Sequence, residues 1–502
     1  MSRANVATYR IAGLAICSFL LFGCGGGYDD SAPTGPLVGD ASLSSLSVTG
    51  ATLVPAFSPS VFSYTATVPN GTNSVDVFPT TTDSLASFTI NGGSSATVPL
   101  VGGDNTISIV VTGQYGTASR TYTIVVTRAP LSTGPEICTG GSAGDFPCSG
   151  VSLRKRVSLE TMGGTAGNDI WGWSDALTGN EYALMGMTNG TAFVDITNPE
   201  VPVFLGRLPT QTVESIWRDI KVYQDHAYIV ADNAGAHGMQ VFDLTRLQGL
   251  MSPQTFSADV VYGDFENAHN LAINEDTGFA YAVGTNTCGG GLHIIDIRTP
   301  INPMIAGCYS LTDTHDTQCV TYQGLDADHP SNPEICVSSN GSHVEIVDVT
   351  DKTAPMTISS TTYPQLGFVH QGWLTEDHRF FLLGDELDES SFNVPTRIHV
   401  FDLSDLDAPV YVFAYEAATA AIDHNLYVLG NRVFQASYTS GLRVLEFGDL
   451  ANEELVEIAF FDTFPASDAT DFSGAWSVYP YLPSGNVIVS DRTNGLFILS
   501  IP

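Results

Sequence analysis

The chain is poor in basic residues and in charged residues generally. Its 502 residues include 18 Lys and Arg against 53 Asp and Glu, and only 14 % of them are charged. A nucleic-acid backbone is held by clustered Lys and Arg, so a net charge of −35 argues against nucleic acid as a partner. Disorder is also excluded, because 43 % of the residues are hydrophobic and 10 % are aromatic.

The apolar run near the start of the chain is too short to anchor it in a bilayer. It extends from Ile11 to Phe22 after Arg3 and Arg10, which is well below the roughly 20 residues of a spanning helix and typical of a secretory signal. The residues Leu21-Phe22-Gly23-Cys24 resemble the bacterial lipobox, whose Cys becomes the lipidated first residue of the mature protein. This resemblance implies a signal peptide over residues 1–23 and a lipid anchor at Cys24. An ordinary signal peptide cut nearby is the alternative.

Cysteine pairs at the CxxC spacing of zinc and redox sites are missing. Cys17 would leave with the signal and Cys24 would carry lipid, so an even number of cysteines remains, which indicates disulfides in an exported chain. Among the possible connectivities we predict pairing between sequence neighbours: Cys138–Cys148, Cys288–Cys308 and Cys319–Cys336.

Short alternating strands follow a polar tether at residues 24–40. Between residues 41 and 128, period-2 segments such as Asn105–Thr112 and Arg120–Arg128 predict a small β-sandwich. The opening Leu43-Ser-Ser-Leu-Ser-Val48, the central Phe62-Ser-Tyr64 and the closing Tyr122-Thr-Ile-Val-Val-Thr-Arg128 resemble the cadherin-like β-sandwich of bacterial surface proteins. The resemblance implies a stalk or an adhesive module.

An internal repeat follows a second linker at residues 129–150. Seven strands share a hydrophobic-hydrophobic-Asp pattern, which varies in the last two: Ala192–Ile196, Gln240–Leu244, His293–Ile297, Glu345–Val349, His399–Leu403, Arg443–Phe447 and Phe497–Ile501. They recur about every 50 residues, the length of one four-stranded propeller blade. We interpret the repeated Asp as a turn-capping side chain and not as a catalytic acid.

The two ends of the repeat region complement each other. The last unit stops at Pro502 after its third strand, whereas residues 151–159 have the pattern of an outer strand without a unit of their own. Pairing between them would close the ring and leave no sheet edge open. The predicted fold is therefore all-β: an N-terminal β-sandwich, then a seven-bladed β-propeller over 151–502 closed by its own N-terminal strand.

The repeat region resembles a known family both in its strands and in the order of its motifs. The strands resemble the LVIVD repeat, and their arrangement resembles the propeller of the choice-of-anchor B family. The residues that carry the resemblance are Ala268-His-Asn-Leu-Ala-Ile-Asn-Glu275, Thr314-His-Asp316, Val369-His-Gln-Gly-Trp-Leu-Thr375, Gly384-Asp-Glu-Leu-Asp-Glu389 and Asp423-His-Asn425. It implies a surface domain attached to a membrane or wall anchor and assigns no reaction.

A polar two-residue signature recurs at the start of the predicted inner strands. It reads Arg218-Asp219, His269-Asn270, His315-Asp316, His370-Gln371 and His424-Asn425. First strands line the axis of a propeller, so four His from four blades are expected to meet at one end of the channel.

Three interpretations of this His ring stay open. In the first, each His bonds a neighbouring Asn, Asp or Gln, among them Asn270, Asp316, Gln371 and Asn425, and so joins adjacent blades. In the second, neutral imidazoles on rigid strands bind Zn, Cu, Ni or Fe, and the paired residues orient them. In the third, the ring forms a polar pocket for an organic ligand.

The axial mouth is accordingly the predicted functional site. The expectation we favour is an outer-membrane or cell-surface lipoprotein, or a periplasm-facing one, that binds an envelope or extracellular protein or glycan there. A metalloenzyme (hydrolase or oxygenase) with Asp219 or Asp316 as base is the competing hypothesis, and a purely structural module is the third. A Gly-x-Ser-x-Gly elbow, a P-loop and a dinucleotide fingerprint are absent, which favours binding over catalysis.

Two further groups of residues have both a functional and an ordinary interpretation. The carboxylates of Asp385, Glu386, Asp388 and Glu389 are ligands that calcium prefers, but without EF-hand spacing we expect a solvated acidic loop. The five Trp near the inner strands are expected to pack around the axis, and stacking on a sugar or peptide is the alternative; they are Trp171, Trp173, Trp217, Trp373 and Trp476.

Overall fold

The computed structural model describes residues 39–68, 70, 72, 74–329 and 332–501. The predicted signal peptide and Cys24 lie outside the described residues. Those residues form two compact units, a smaller one within residues 39–126 and a larger one that includes residues 127–501. None of their helices has the length and apolar character needed to cross a bilayer.

The smaller unit is built from two sheets whose strands alternate between core and solvent. One sheet contains β1 (Leu43–Val48), β3 (Ser74–Thr81) and β5 (Thr97–Pro99). The other contains β2 (Ser63–Val68), β7 (Ser119–Arg128), β6 (Gly103–Thr112) and β4 (Ser87–Ile90). In β7 the buried residues are Tyr122, Ile124 and Val126, which is the period of two that one buried sheet face requires.

The larger unit contains seven sheets among its described residues, each made of four or more strands. The first joins β11 (Gly167–Ser174), β12 (Glu181–Met187), β13 (Gly190–Asp195) and β14 (Val203–Pro209), with β18 (Gln254–Thr255) parallel to β14. The second joins β15 (Arg218–Tyr223), β16 (His226–Ala231), β17 (Met239–Asp243) and β19 (Val260–Tyr262). The third joins β20 (Asn270–Asn274), β21 (Phe279–Val283), β22 (His293–Asp296) and β23 (Met304–Cys308).

The remaining four sheets repeat this antiparallel order. The fourth joins β24 (Asp316–Thr321), β25 (Glu334–Ser339), β26 (Val344–Asp348) and β27 (Met356–Thr361). The fifth joins β28 (Val369–Leu374), β29 (Phe380–Asp385), β30 (Arg397–Asp402) and β31 (Val410–Glu416). The sixth joins β32 (Leu426–Leu429), β33 (Arg432–Ser437), β34 (Gly441–Phe447) and β35 (Leu455–Phe461). In the seventh, β36 (Ala475–Tyr479), β37 (Asn486–Asp491) and β38 (Gly495–Ser500) are joined by β10 (Ser152–Val157), which pairs with β38.

The first strands of successive sheets surround a common axis. β11 contacts β15, β15 contacts β20, and the contacts continue through β24, β28, β32 and β36 back to β11. The layers between sheets are apolar; for example, Ile170 and Met185 pack with Ile488 and Ile498. Each such fully buried side chain stabilises the fold by about 1.5–3 kcal/mol. The arrangement is β-propeller-like.

The helices of the larger unit are short, and part of the predicted linker forms strands. α1 (Leu159–Met162) and α2 (Asp388–Phe392) are single turns, and 3₁₀ turns lie at Leu244–Leu247, Cys288–Gly290 and Leu450–Asn452. Within the stretch predicted as a linker, β8 (Ser142–Ala143) and β9 (Phe146–Ser149) form a hairpin, and β9 pairs with β35. Phe146 is fully buried there against Phe461 and Phe497, so this part of the stretch packs on the sheets.

Two local predictions agree with the structure. The three disulfides Cys138–Cys148, Cys288–Cys308 and Cys319–Cys336 are confirmed. The repeated Asp at the end of the third strand caps the following turn in the first five sheets. Asp348 Oδ1, for instance, accepts a hydrogen bond from Thr350 N at 2.8 Å, and Asp402 Oδ1 accepts one from Ser404 N at 2.8 Å.

Candidate functional site

The four His of the recurring signature lie side by side at the end of the axis where the first strands begin. Successive ring centroids are 4.4 Å apart for His269 and His315, 4.5 Å for His315 and His370, and 4.4 Å for His370 and His424. Trp476 continues the row, with its centroid 4.6 Å from that of His424. We call this end of the axis the histidine mouth.

Hydrogen bonds hold one nitrogen of three of these rings. The Nδ1–H of His315 donates to the carbonyl of His370 at 3.0 Å, and the Nδ1–H of His424 donates to the carbonyl of Trp476 at 2.6 Å. His269 Nδ1 lies 2.9 Å from Asp232 Oδ2. In His315 and His424 the unprotonated nitrogen is therefore Nε2, which is the atom that a metal would take.

The buried imidazoles are neutral near physiological pH. Burial lowers the pKa of His315 and of His424 well below its usual value, and the neighbouring His370 lowers both further. Burial also lowers the pKa of His370, although Glu386 partly opposes this effect. Neutral imidazole is the form that binds transition metals.

Glu386 completes a three-residue group with two of the His. Its Oε2 lies 3.8 Å from His370 Nε2 and its Oε1 lies 3.7 Å from His424 Nε2, while the Tyr438 hydroxyl donates to Oε1 at 3.0 Å. These nitrogen–oxygen separations are too long for hydrogen bonds. They are close to the separation of about 3.3 Å expected for two ligand atoms on one tetrahedral Zn²⁺, since each lies about 2.0–2.1 Å from the metal. The group could hold a metal ion.

The interpretation of residues 385–389 as a solvated acidic loop is wrong. Asp385 and Asp388 are fully buried and Glu389 is 3 % exposed; the last two are the first residues of α2. The sequence pattern placed Glu386 only in this loop and gave no indication of its position beside the His. A signal was available: a residue that follows the second strand of a hairpin lies next to the start of the first strand, and Val369 pairs with Asp385.

The second residues of the recurring two-residue signature mostly join neighbouring sheets. Asp219 Oδ2 accepts a hydrogen bond from Leu271 N at 2.6 Å, and Gln371 Oε1 accepts one from Leu426 N at 2.8 Å. The amide of Asn270 donates to the His315 carbonyl at 2.9 Å, and that of Asn425 donates to Ser477 Oγ at 3.2 Å. Asp316 makes no such link among the described hydrogen bonds, since its Oδ1 accepts from the adjacent Thr317 N.

A charged cluster lies further along the axis. Lys221 Nζ is 2.6 Å from Asp219 Oδ1 and 4.0 Å from Asp169 Oδ2, and it stacks on Trp171 at 4.6 Å from the ring centroid. Burial, reinforced by Asp219, raises the pKa of Asp316 to about 7. Both oxygens of Asp219 are thus engaged, by Leu271 N and by Lys221, which favours a positioning role over the predicted role of a base. The sequence pattern did not identify Lys221 and Asp169 as part of a site, because a single charged residue in a strand is ordinarily interpreted as facing solvent.

An aromatic cavity of about 490 Å³ opens where the first strands end. Its walls include the aromatic side chains of Trp171, Trp373, Tyr427, Tyr479 and Tyr481, and Lys221, Asp316 and Glu376 supply charge. This volume and mixture of aromatic and polar groups are typical of small-molecule sites. The predicted set of Trp is therefore divided: Trp171 and Trp373 line this cavity, Trp217 and Trp476 lie at the histidine mouth, and Trp173 packs on Tyr182.

Comparison with known proteins identifies the smaller unit. Residues 43–129 match the family described as Cadherin-like beta sandwich domain. No curated protein matches the chain.

Solved structures similar to the chain cover much of its length at low identity. One is a protein from Lactobacillus plantarum, with 14 % identity over 64 % of this chain and 88 % of that one. Another is U3-55K, with 8 % identity over 70 % of this chain and 98 % of that one. A third is the β-propeller domain of Cps50 (Swd1) from Myceliophteria thermophila, with 11 % identity over 67 % and 97 % of the two chains. The TM-score is 0.43 in all three.

Proposed function

We propose that this protein is an exported envelope module, attached through lipid on Cys24, whose larger unit is a seven-bladed β-propeller with a transition-metal centre at the histidine mouth. The three disulfides support export, since such bonds persist in oxidising compartments. The pairing of β10 with β38 supports closure of the ring by the strand that precedes the first complete sheet. The cadherin-like unit acts as a stalk or an adhesive module.

The observation that carries the metal centre is the convergence of Glu386 with the Nε2 atoms of His370 and His424. Neutral, buried imidazoles and a carboxylate at 3.7–3.8 Å cannot satisfy each other by hydrogen bonds, whereas a cation among them would bind all three. Two His and one Glu are a ligand set that Zn²⁺ accepts, and Cu, Ni and Fe also suit imidazole. Tyr438 orients the carboxylate through its hydroxyl.

The histidine mouth also offers space for a partner. A depression of about 460 Å³ beside the row is lined by Asp232, His269, His315 and Phe368, among others. Three protein ligands leave a coordination position that water or a partner could take. The bound ion would therefore help to recognise an envelope or extracellular partner. If the open position instead takes a substrate, the same centre would act as a metal-dependent hydrolase or oxygenase.

Metal content of the purified full-length protein tests this centre. Elemental mass spectrometry is expected to find one transition-metal ion per chain in the wild type and none in a His370→Gln/His424→Gln variant. A His226→Gln/His343→Gln variant is the matched control, because neither residue belongs to a group of His, Asp and Glu side chains that could hold a metal ion among the described residues. A folded wild type that takes up no Zn²⁺, Cu²⁺, Ni²⁺ or Fe²⁺ on reconstitution would contradict the proposal.

A second candidate function is favoured by the aromatic cavity, which fits a glycan or a peptide segment. Sugar rings and peptide side chains stack on accessible aromatic faces, and the half-buried Trp373, Tyr479 and Tyr481 line this cavity. Glycan and peptide arrays probed with wild-type protein are expected to give hits that Trp373→Ala loses. Phe88→Ala, which changes an exposed aromatic residue of the smaller unit, should keep them. Hits unaffected by Trp373→Ala would place the binding elsewhere.

A further inference from the structure

Three buried carboxylates lie together behind the histidine mouth and take no part in the transition-metal centre. Asp388 and Glu389 begin α2, and Asp423 lies just before His424 on the way into β32 of the next sheet. Their exposed fractions are 0 %, 3 % and 1 %. One ligand oxygen from each lies within 4.8 Å of the others.

One oxygen of each carboxylate has no hydrogen-bond partner among the described residues. These atoms are Asp388 Oδ1, Glu389 Oε2 and Asp423 Oδ1. A buried, unpaired charged oxygen carries the full cost of its lost hydration, so three carboxylates this close together require either a positive partner or protons. An acidic surface loop would not have this property.

The protein itself supplies too little positive charge to this cluster. Arg397 Nε donates to Asp388 Oδ2 at 2.7 Å, and His399 Nε2 lies 3.4 Å from the same atom. Gln435 approaches only the second oxygen of Asp423, at 3.4 Å. One guanidinium therefore faces three carboxylates, and it bonds to Asp388 Oδ2, not to the unpaired Oδ1.

The adjoining acid is satisfied without a cation. Asp385 accepts hydrogen bonds from the Tyr363 hydroxyl at 2.7 Å and from the amides of Gly367 and Phe368 at 2.7 and 2.6 Å. Asp385 therefore does not need to share a counter-ion with the cluster. This contrast limits the unsatisfied site to Asp388, Glu389 and Asp423.

A glycine makes room for the cluster. A Cβ atom at residue 384 would come within 2.0 Å of Asp423 Oδ2, so only glycine allows this carboxylate to lie against β29. The backbone is thus shaped to admit the third carboxylate between two sheets.

We propose that a hard divalent cation of the calcium class binds among Asp388 Oδ1, Glu389 Oε2 and Asp423 Oδ1. Oxygen-only ligands suit Ca²⁺ better than metals that prefer nitrogen or sulfur. The ion joins α2 of the fifth sheet to the segment that leads into the sixth. It also fixes two residues of the transition-metal centre, because Glu386 lies two residues before Asp388, and His424 follows Asp423. The cation site itself does not depend on that centre.

The competing account is that protons, not a cation, neutralise the cluster. Burial, with Asp388 nearby, raises the pKa of Glu389 to about 9, so a cluster without an ion would retain protons at neutral pH. The charges that face the cluster from other elements are those of Arg397 on β30, Asp385 on β29 and the titratable His399. The two accounts differ in whether added Ca²⁺ changes anything.

Calcium binding by the metal-stripped full-length protein tests the proposal. Isothermal titration is expected to give one Ca²⁺ per chain, and Ca²⁺ should raise the thermal midpoint of the larger unit. Glu389→Gln and Asp423→Asn should each weaken binding at least about tenfold. The Glu214→Gln/Glu416→Gln variant, which changes two exposed carboxylates, should bind as the wild type does. Because the carboxamides remove unpaired charge, both cluster variants are expected to melt higher than the wild type in EDTA.

Two further measurements keep the test decisive. In the wild type, the buried Tyr363 should sensitise Tb³⁺, a luminescent substitute for Ca²⁺. This measurement uses no variant and so does not depend on whether a variant folds. The His370→Gln/His424→Gln variant should keep its Ca²⁺ response, so failure of the transition-metal centre and failure of the cation site are distinguishable. A stripped, folded wild type with the same midpoint in EDTA and in millimolar Ca²⁺, and without Tb³⁺ luminescence, overturns the proposal and assigns the neutralisation to protons.

Discussion

Among its described residues the larger unit contains two groups of three carboxylates, five of them buried and Asp316 half-buried, and the groups differ in how their charge is balanced. On the axis, Asp169, Asp219 and Asp316 lie around Lys221, whose ammonium is 2.6 Å from Asp219. Beside the histidine mouth, Asp388, Glu389 and Asp423 have only Arg397, which bonds to a single oxygen of Asp388.

The difference shows how the protein can provide a counter-ion. Burial disfavours the charge of Lys221, yet Asp219 and Asp169 outweigh this effect and raise its pKa. On the axis Lys221 balances Asp219, and burial raises the pKa of Asp169 well above its usual value and that of Asp316 to about 7, so protons complete the balance there. The other group has three unpaired oxygens among the described residues, against one, Asp169 Oδ1, on the axis, which is the reason for proposing a cation there and none on the axis.

Removing Lys221, the counter-ion of the axial group, should change the free energy of unfolding most. Lys221→Met leaves the buried Asp219 without its positive partner, so we expect a loss of about 3–5 kcal/mol in the unfolding free energy at pH 7, unaffected by Ca²⁺. All five Trp lie in the larger unit, so urea unfolding followed by Trp fluorescence reports on it alone. Lys155→Met on β10 is the control and should stay within about 0.5 kcal/mol of the wild type. A small loss, or one that Ca²⁺ restores, would remove the distinction between the two groups.

The raised pKa of Asp316 predicts an effect of intermediate size on the free energy of unfolding, in which a substitution stabilises the protein and does not destabilise it. The folded state keeps the Asp316 proton up to about pH 7, while the unfolded chain releases it near its ordinary pKa of 3.8. The folded state therefore binds more protons across this range, and wild-type stability falls as the pH rises.

Asp316→Asn should remove the part of that fall that comes from Asp316. Relative to the wild type it is expected to gain about 1–2 kcal/mol between pH 4 and pH 8, measured by urea unfolding at each pH. The exposed Asp468→Asn serves as control and should follow the wild-type profile. Parallel profiles for Asp316→Asn and wild type would mean that Asp316 ionises normally and that the axial group carries more negative charge than Lys221 balances.

The neutral links between sheets should give the smallest effects. Gln318 Oε1 accepts one hydrogen bond, from Leu374 N at 2.7 Å, whereas Gln371 bonds to both the amide and the carbonyl of Leu426 at 2.8 and 3.1 Å. We expect Gln318→Met to cost about 0.5–1 kcal/mol and Gln371→Met about 1–2 kcal/mol. Losses comparable to that of Lys221→Met would show that charge balance is not what separates the axial group from other contacts between sheets.

Much of the fold was readable because it depends on local pattern. The period-2 alternation of Tyr122, Ile124 and Val126 is a property of one strand, and the capping by Asp348 involves residues two apart. Disulfide pairing was accessible for a similar reason: Cys319 and Cys336 lie on adjacent strands of one hairpin, directly opposite each other. The repeat itself indicated that the signature His would share one end of the axis.

The remaining features arise between sheets. Glu386 and His424 belong to neighbouring sheets and Lys221 is buried only because other strands surround it, so no local pattern marks these side chains as parts of a site. For the same reason the acidic residues at 385–389 looked like solvent-facing carboxylates. The strands, the turns, the repeat and the cysteine pairs could be predicted from the amino-acid order alone, because all of them depend on near neighbours. Which charges lose their water and which groups replace it became visible only in the folded chain, because hydration and its loss depend on every element packed around a side chain.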